Sequence, residues 1–294
     1  MIIWVASYPK SGNTWIRSLL SSYFYSKDGK FNFDLLLNIP KFTQEMYFSP
    51  LINPEKLKQD TLKITEYWEA AQLRINIDNQ IKFFKTHNAC VAYRGSFSKK
   101  EGHKLVGEDR WFTTEKNTLG YIYIVRDPRT VACSLASHLS ISTDKAVDEL
   151  LNENSIGYNG PYKLAELPGS WKINYLSWKK KKKFEGIVIK YENLIDNTEK
   201  EFTKILNFLQ KTYRTNGYDI PHVDQNKNKM QVSINSCKFS RLKEMEEKYG
   251  FKETVNNKFF RLGKKDNWKN ELSINLIRKI EKHFKNEMKE LGYL

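Results

Sequence analysis

Cysteine is scarce in this sequence, which contains only Cys90, Cys133 and Cys237 in 294 residues. No two of them form a CxxC pair, so neither a disulfide framework nor a zinc site is indicated, and we expect no metal. Long apolar runs are also missing, because none approaches the ~18 residues of a membrane-spanning helix. The first residues follow a strand pattern instead of that of a signal peptide. These absences favour a soluble, cytoplasmic protein with no transmembrane segment.

Acidic residues are outnumbered, since 34 Asp and Glu stand against 49 Lys and Arg and leave a net charge of +15. Such an excess favours an anionic partner, which can be nucleic acid, a membrane surface or a phosphorylated small molecule. Part of it lies in five consecutive lysines at 179–183, whose simplest interpretation is a solvated helix end. A nucleic-acid patch would mix arginine and aromatic side chains with lysine, so we expect no nucleic acid as partner.

Apolar runs of strand length alternate with stretches of helical period, which is typical of a parallel sheet covered by helices. Neither repeats nor a low-complexity linker divide the chain, so we predict one α/β domain over residues 1–294, with a central, mostly parallel sheet. The predicted strands are Ile2–Tyr8, Ile81–Lys85, Gly120–Val125 and Gly186–Lys190. The predicted helices are Thr14–Phe24, Pro128–Ser140, Ser170–Phe184, Thr198–Leu209 and Ser273–Leu291. The segments 31–79, 144–168 and 211–229 are expected to be irregular pocket walls.

The loop PKSGN joins the first predicted strand to the first predicted helix. Gly12 allows a close turn, Thr14 can cap the helix, and the free N–H groups of the first helical turn favour an anion. These features favour a phosphate-binding loop, but not a Walker A loop, because Lys10 precedes the only glycine of the stretch instead of following a second one. An ordinary strand-to-helix turn with a solvated lysine stays open from these residues alone.

Polar side chains follow all four predicted strands. They are Lys10, Lys85 with His87, Arg126 and Tyr191. Because the carboxyl ends of parallel strands meet at one edge of a sheet, we expect these groups to converge on one site.

Six motifs in order along the chain resemble those of the sulfotransferases that use 3′-phosphoadenosine 5′-phosphosulfate (PAPS). They are YPKSGNTW, similar to the family's YPKSGTTW, then KTH at 85–87, VRDPRTVACSLASH at 125–138, PGSW at 168–171, KYENL at 190–194 and RLGKKDNWKNEL at 261–272. The resemblance covers nearly the full length. It implies transfer of the sulfuryl group of PAPS to a hydroxyl or amine, on a sheet with a P-loop-like strand, loop and helix and without a required metal.

The resemblance assigns the first loop to the 5′-phosphosulfate, with Lys10 at the bridging oxygen on which charge builds as the sulfur leaves. The residues of this loop are Lys10, Ser11, Gly12, Asn13, Thr14 and Trp15. Arg126 and Ser134 would bind the 3′-phosphate, where arginine offers a planar fork. For Ser134, packing of the helix against the sheet is the alternative.

The resemblance also implies the remaining contacts to the nucleotide. Arg261, Leu262 and Gly263 resemble the family's RKG, with leucine in place of lysine, and would serve the 3′-phosphate. The adenine would contact Trp15, Tyr191 and the segment 237–242, where Phe239 stacks on the base. Cys237 begins that segment, although the family usually has Thr-Ser there. Phe239 can alternatively be a core aromatic of a short helix.

His87 is the predicted general base, because a neutral imidazole near pH 7 can take the proton of the attacking acceptor. Lys85 beside it would neutralise charge on the sulfuryl oxygens. The other histidines, His103, His138, His222 and His283, lack such a context and are expected to be surface or packing residues.

Two other classes of protein stay open from the sequence. One is a P-loop nucleotide or small-molecule kinase, against which stand the absent GK(S/T) order and the absence of a clear strand-end aspartate for magnesium. The other is a non-catalytic, sulfotransferase-like protein that binds polyanions, against which stand Lys10 and His87. The acceptor can be a small molecule, a lipid or a glycan. The dimer motif of cytosolic members, KxxxTVxxxE, is not present in that form around Thr254 and Val255, so the resemblance predicts no oligomeric state.

Overall fold

The computed structural model describes residues 1–93, 99–101, 104–106, 110–159, 162–180, 183–219, 226–254 and 258–294. His103, His222, Val255 and two of the five consecutive lysines, Lys181 and Lys182, lie outside these ranges. No helix in the described ranges is long and apolar enough to cross a membrane.

Four parallel strands form the central sheet, as predicted, and their ends differ from the predicted ends by at most two residues. They are β1 (Ile2–Ser7), β2 (Lys82–Thr86), β3 (Thr118–Val125) and β4 (Glu185–Lys190), in the order β4-β3-β1-β2. In β1, Ala6 pairs with Thr86 of β2, and Ser7 pairs with Ile124 of β3. This register brings the carboxyl ends of the strands to one edge.

Both faces of the sheet are buried, which explains why its strands read as continuous apolar runs instead of alternating ones. Trp4 and Tyr123 point into one hydrophobic cluster, whereas Ile3 and Ile122 point into the other. Because successive side chains of a strand point to opposite faces, each strand contributes to both clusters.

Helices cover the two faces and connect the strands. They are α1 (Asn13–Tyr25), α2 (Glu45–Phe48), α3 (Pro54–Gln59), α4 (Trp68–Ile75), α5 (Pro128–Leu139), α6 (Thr143–Leu151), α7 (Trp171–Lys179), α8 (Tyr191–Asp196), α9 (Thr198–Thr215), α10 (Lys227–Ser236), α11 (Phe239–Tyr249), α12 (Trp268–Glu271), α13 (Ile274–His283) and α14 (Lys285–Glu290). The 3₁₀ helices are Phe33–Asn38 and Thr61–Tyr67. Short antiparallel ribbons pair Ala92–Tyr93 with Arg110–Trp111, Lys99–Glu101 with Lys104–Val106, and Gly157–Asn159 with Leu164–Glu166.

The expectation of irregular structure was wrong for much of 31–79 and 144–168, which carry short helices. Two of the helical segments in 31–79 begin at these side-chain caps: the Asn53 carboxamide oxygen accepts the Glu55 N–H at 3.0 Å, and an Asp60 carboxylate oxygen accepts the Leu62 N–H at 3.1 Å. Elements this short contain too few turns to show a period.

Three predicted helices have different ends. The helix predicted over 170–184 ends at Lys179, so the lysine run begins where the helix stops. The helix that starts at Thr198 continues to Thr215. The C-terminal helix is interrupted at Phe284, which is fully buried.

Candidate active site

A cleft of about 1860 Å³ opens at the carboxyl ends of the four strands. The chain passes from β1 to β2 on one side and then returns to place β3 on the other side of β1, which makes the β1/β3 gap a topological switch point, the usual ligand site of such sheets. The structure brings the groups expected after the four strands into this cleft. The lining includes these residues named from the sequence: Lys10, Gly12, Asn13, Thr14, Trp15, Lys85, His87, Arg126, Ser134, Tyr191, Phe239, Arg261, Leu262 and Gly263.

The loop between β1 and α1 has a left-handed backbone at two positions, with φ of 64° at Lys10 and 101° at Gly12. A Cβ on Gly12 would lie 2.4 Å from a ring carbon of Tyr191, so only glycine fits both the conformation and the space. The N–H of Trp15 bonds to the Gly12 carbonyl at 3.1 Å. The loop therefore brings its backbone close to the cleft.

The helix cap differs from the expectation. Helix α1 begins at Asn13 with Gly12 as N-cap, so Thr14 lies inside the first turn and does not cap it. The Thr14 hydroxyl donates instead to a carboxylate oxygen of Glu253, at 3.3 Å. Asn13 anchors the loop, because its Nδ2 donates to the Val5 carbonyl at 2.9 Å. The first N–H groups of α1 have no acceptor within the helix, which makes this end an anion-binding position.

Lys10 is a cation in an unfavourable environment. Its Nζ lies 3.9 Å from the ring centroid of Phe259. Burial, together with the nearby charges of Lys85 and Arg126, lowers the pKa of Lys10 to about 7. The opposite charge of a bound anion would offset both effects and favour the protonated lysine.

The hydrogen bonds of His87 select one tautomer of its ring. Nδ1 lies 2.8 Å from the Ser7 carbonyl oxygen, which can only accept, so Nδ1 carries the proton and Nε2 keeps its lone pair. Burial lowers the pKa of His87 to about 3 and keeps the ring neutral. The ring is therefore arranged to accept a proton at Nε2.

Two residues that the sequence reasoning missed hold His87 in place. One Glu166 carboxylate oxygen accepts the His87 backbone N–H at 2.8 Å, and the other lies 2.9 Å from Lys41 Nζ. Asn174 donates to the His87 carbonyl at 2.9 Å. Glu166 lies two residues before the PGSW motif and Asn174 three residues after it, which is the only sequence signal for them.

Lys85 is buried and its Nζ lies 2.9 Å from Glu253 Oε2. Burial lowers the pKa of Lys85 to about 8, although Glu253 opposes this change. The other oxygen of Glu253 lies 2.6 Å from Arg17 Nη1. Neither Arg17 nor Glu253 was identified from the sequence.

Arg126 follows β3, with its guanidinium 4.2 Å from the ring centroid of Tyr191. Its Nη1 and Nη2 donate to the carbonyls of Lys10 and Lys264, each at 3.1 Å. Among the residues described, its Nε has no acceptor. The side chain is thus fixed at both terminal nitrogens, and Ser134 also lines the cleft.

Aromatic rings form another part of the cleft. Trp15 and Tyr191 meet edge to face with centroids 5.7 Å apart. Phe239 is the first residue of α11 and lines the cleft, and its ring centroid lies 6.0 Å from that of Phe260. A Cβ on Gly263, which has φ of 61°, would lie 2.6 Å from the Phe239 ring. These rings provide flat surfaces of the kind that bind a purine.

Cys237 and Ser11 do not line the cleft, and Arg261 is engaged elsewhere. Cys237 is 0% exposed in the core beside Ser22 and Ser236, and burial raises the pKa of its thiol to about 12, so its predicted contact with the base is corrected. Ser11 is 1% exposed, and only its backbone can serve the loop. Arg261 makes two contacts with Glu271, at 3.0 and 2.9 Å.

His138 lies in the cleft, contrary to the expectation for this residue. It is on helix α5, one turn after Ser134, and faces the Phe259 ring at 6.0 Å. Burial and the nearby charges of Lys10 and Lys85 lower its pKa to about 4. Spacing of four residues from a predicted site residue on a helix was the signal that could have found it.

A strand, loop and helix suited to an anion, the half-buried Lys10, the buried Lys85 and a neutral imidazole are together typical of an α/β transferase of anionic groups. Within the described ranges no cluster of His, Cys, Asp and Glu is suited to a metal.

The family follows from comparison with known proteins. The model of the sulfotransferase domain family matches residues 2–292, so the chain belongs to this family and is a sulfotransferase. Among curated proteins it is similar to Sulfotransferase 1E1 of Homo sapiens, with 24% identity over 97% of this chain and 83% of that protein, and of Mus musculus, with 25% identity over the same shares.

The fold has solved counterparts. One is mouse sulfotransferase SULT7A1 complexed with PAP, with a TM-score of 0.53 and 16% identity over 98% of this chain and 84% of that one. Another is retinol dehydratase complexed with retinol and PAP, with a TM-score of 0.53 and 19% identity over 98% and 81%. These likenesses confirm the predicted α/β fold with a parallel sheet flanked by helices.

Proposed function

We propose that this enzyme transfers the sulfuryl group of PAPS to a hydroxyl or amine of a small acceptor by in-line displacement. The observation that carries the proposal is the convergence of Lys10, Lys85, His87 and Arg126 on one cleft. A kinase of the P-loop class would need a magnesium position next to its lysine, which the order of residues in this loop does not offer.

The residues of the cleft suit a nucleotide that carries one phosphate on the 5′ oxygen and another on the 3′ oxygen of its ribose. The 5′ end would lie on the backbone of Lys10 to Trp15, where Gly12 lets the loop pass close to the Tyr191 ring. The 3′-phosphate would take N–H groups of Arg126 that the carbonyls of Lys10 and Lys264 leave unused, beside Ser134. The adenine would lie among Trp15, Tyr191 and Phe239. The similar structures of SULT7A1 and retinol dehydratase are complexes with PAP, which supports a donor of this type.

The donor supplies an activated sulfuryl group, and the protein supplies charge and a proton acceptor. His87 Nε2 takes the proton of the acceptor, while the Ser7 carbonyl stabilises the imidazolium that forms by accepting from Nδ1. Lys10 stabilises the charge that builds on the leaving oxygen, which is worth more in a buried site than in water. Lys85 neutralises negative charge on the sulfuryl oxygens. No metal has a role in this scheme.

The acceptor would enter from the side of His87, where Tyr8, Met46, Tyr47, Ile156 and Tyr158 line the cleft. Apolar and aromatic walls of this kind favour a hydrophobic alcohol or phenol over a free sugar. Retinol dehydratase, which shares the fold, is described with androsterone and with retinol, and both support an acceptor of this class.

The test begins with thermal unfolding in the presence of adenosine 3′,5′-bisphosphate or of ATP with magnesium. We expect the bisphosphate to stabilise the protein without metal. If only ATP with magnesium stabilises it, the result would favour a kinase and contradict the proposal. Transfer of label from ³⁵S-PAPS to a panel of alcohols, phenols and amines then identifies the acceptor. Binding that falls steeply with salt and is not followed by transfer would indicate a polyanion-binding protein instead.

A further inference from the structure

Glu253 is an acidic residue inside a cationic cleft. It lies four residues after the end of α11, and its side chain is 28% exposed. One carboxylate oxygen lies 2.6 Å from Arg17 Nη1, and the other lies 2.9 Å from Lys85 Nζ and 3.3 Å from Thr14 Oγ1. Three donors from two other elements thus hold both oxygens.

Two of these hydrogen-bond donors, Thr14 and Lys85, are the groups that the proposed function assigns to the phosphosulfate of PAPS. A carboxylate and a sulfuryl group both present anionic oxygens and compete for the same N–H and O–H groups. Two anions within a few ångströms of each other in a partly buried site repel strongly. The sulfuryl group and the Glu253 carboxylate therefore exclude each other from this position.

We propose that the Glu253 carboxylate occupies the subsite of the sulfuryl group and thereby determines how the enzyme discriminates between PAPS and its bisphosphate product. The inference rests on the proposed function. PAPS must displace the carboxylate from Lys85, whereas the bisphosphate, which lacks the sulfuryl group, leaves this contact in place. After transfer, the carboxylate returns to Lys85 and opposes rebinding of a sulfated product.

The fold holds this segment without Glu253. The carboxylate of Glu246, on α11, accepts the Thr254 hydroxyl at 2.7 Å and the N–H groups of Phe259 and Phe260 at 2.6 and 2.9 Å. Arg17 also keeps its bond to the Ile39 carbonyl at 3.0 Å. A change at Glu253 therefore removes a charge from the cleft while Glu246 keeps the segment in position.

The test compares the dissociation constants of PAPS and of the bisphosphate by calorimetry, in the wild type and in Glu253→Gln, which removes the charge and keeps the shape. We expect PAPS to bind about tenfold more tightly in the variant and the bisphosphate to change by less than about threefold. Glu253→Ala should show the same ratio, and a thermal melt of each variant confirms that it is folded.

The control is Glu247→Gln, which removes the same charge from α11. Glu247 pairs with Lys258 at 2.8 Å and does not line the cleft. The control should change neither constant. If Glu253→Gln binds PAPS and the bisphosphate more tightly by the same factor, the effect comes from net charge alone. If the variant binds PAPS more weakly, Glu253 serves to hold Arg17 and Lys85 in position. Either result overturns the inference while the proposed function stands, whereas a wild type that binds no bisphosphate overturns both.

Discussion

Lys10 provides a prediction that needs no mutation, because its own titration should govern binding of the nucleotide. Burial and the neighbouring cations lower its pKa to about 7, from an ordinary value of 10.5. Lys10 therefore loses its proton as the pH rises through 7, whereas an unperturbed lysine would keep it to above pH 10. A phosphate has its second pKa near 6, so the ligand keeps its charge over this range.

The size of the effect follows from this value. With a pKa of about 7, half of the Lys10 side chains carry a proton at pH 7 and roughly 1% do so at pH 9. If the bisphosphate binds only the protonated form, its affinity falls by about 50-fold between these two pH values, which corresponds to about 2.3 kcal/mol. Lys85 contributes little to this decrease, because its partner would be the sulfuryl group that the bisphosphate lacks.

The assay is calorimetric titration of adenosine 3′,5′-bisphosphate at half-unit steps from pH 7 to 9. Lys10→Arg is the control, because arginine stays protonated over the whole range. The wild-type dissociation constant should rise with pH, and that of the variant should stay level. A level wild-type profile, or the same slope in both proteins, would refute the assignment of Lys10 to the anion.

Three further changes test other parts of the site. His87→Ala should lower turnover by ~10²–10⁴ through loss of the base and leave bisphosphate affinity within about threefold; unchanged turnover in a transfer assay would remove His87 from the mechanism. Arg126→Ala should weaken bisphosphate binding by about 10- to 100-fold, since bonds to charged groups contribute ~1.5–3 kcal/mol, and Arg126→Lys should fall between. If both bind as well as the wild type, Arg126 has no part in the 3′-phosphate site. Gly12→Ala should lower the free energy of unfolding by about 1–3 kcal/mol, measured in urea, because the new Cβ meets the Tyr191 ring. Gly250→Ala is its control, with φ of 72° and no atom within 4 Å of the new Cβ, and an equal loss there would make the backbone conformation the whole cause.

Prediction from the sequence succeeded where a short stretch determines its own structure. A parallel strand buried on both faces must be apolar throughout, so β1 and β3 were evident as runs. Parallel strands end at one edge, so the residue after each strand was already a candidate for the site. The same reasoning placed His87, Arg126 and Tyr191 in one cleft without any knowledge of the helices.

Prediction from the sequence failed where the packing of a helix decides which way a side chain points. Cys237 was assigned to the adenine from its position in a motif, but α10 ends there and turns the thiol into the core. His138 was dismissed because nothing beside it in sequence suggested a role, although α5 brings it to the same wall as Ser134. In both cases the orientation of a helix relative to the cleft determined the outcome, and local sequence carries little information about that orientation.

Glu253 shows the same limit for electrostatics. It pairs with Lys85 across 168 residues of sequence, and any of the 34 acidic residues could have done so. The pairing depends on Glu246, which holds the segment that follows α11 over the cleft. Motifs identify the cations because an anionic donor requires them, but the carboxylate that we propose to compete with the sulfuryl group follows no motif. From the proposed role of Glu253 we expect sulfotransferases with the same lysines and histidine to differ in donor affinity through this one position.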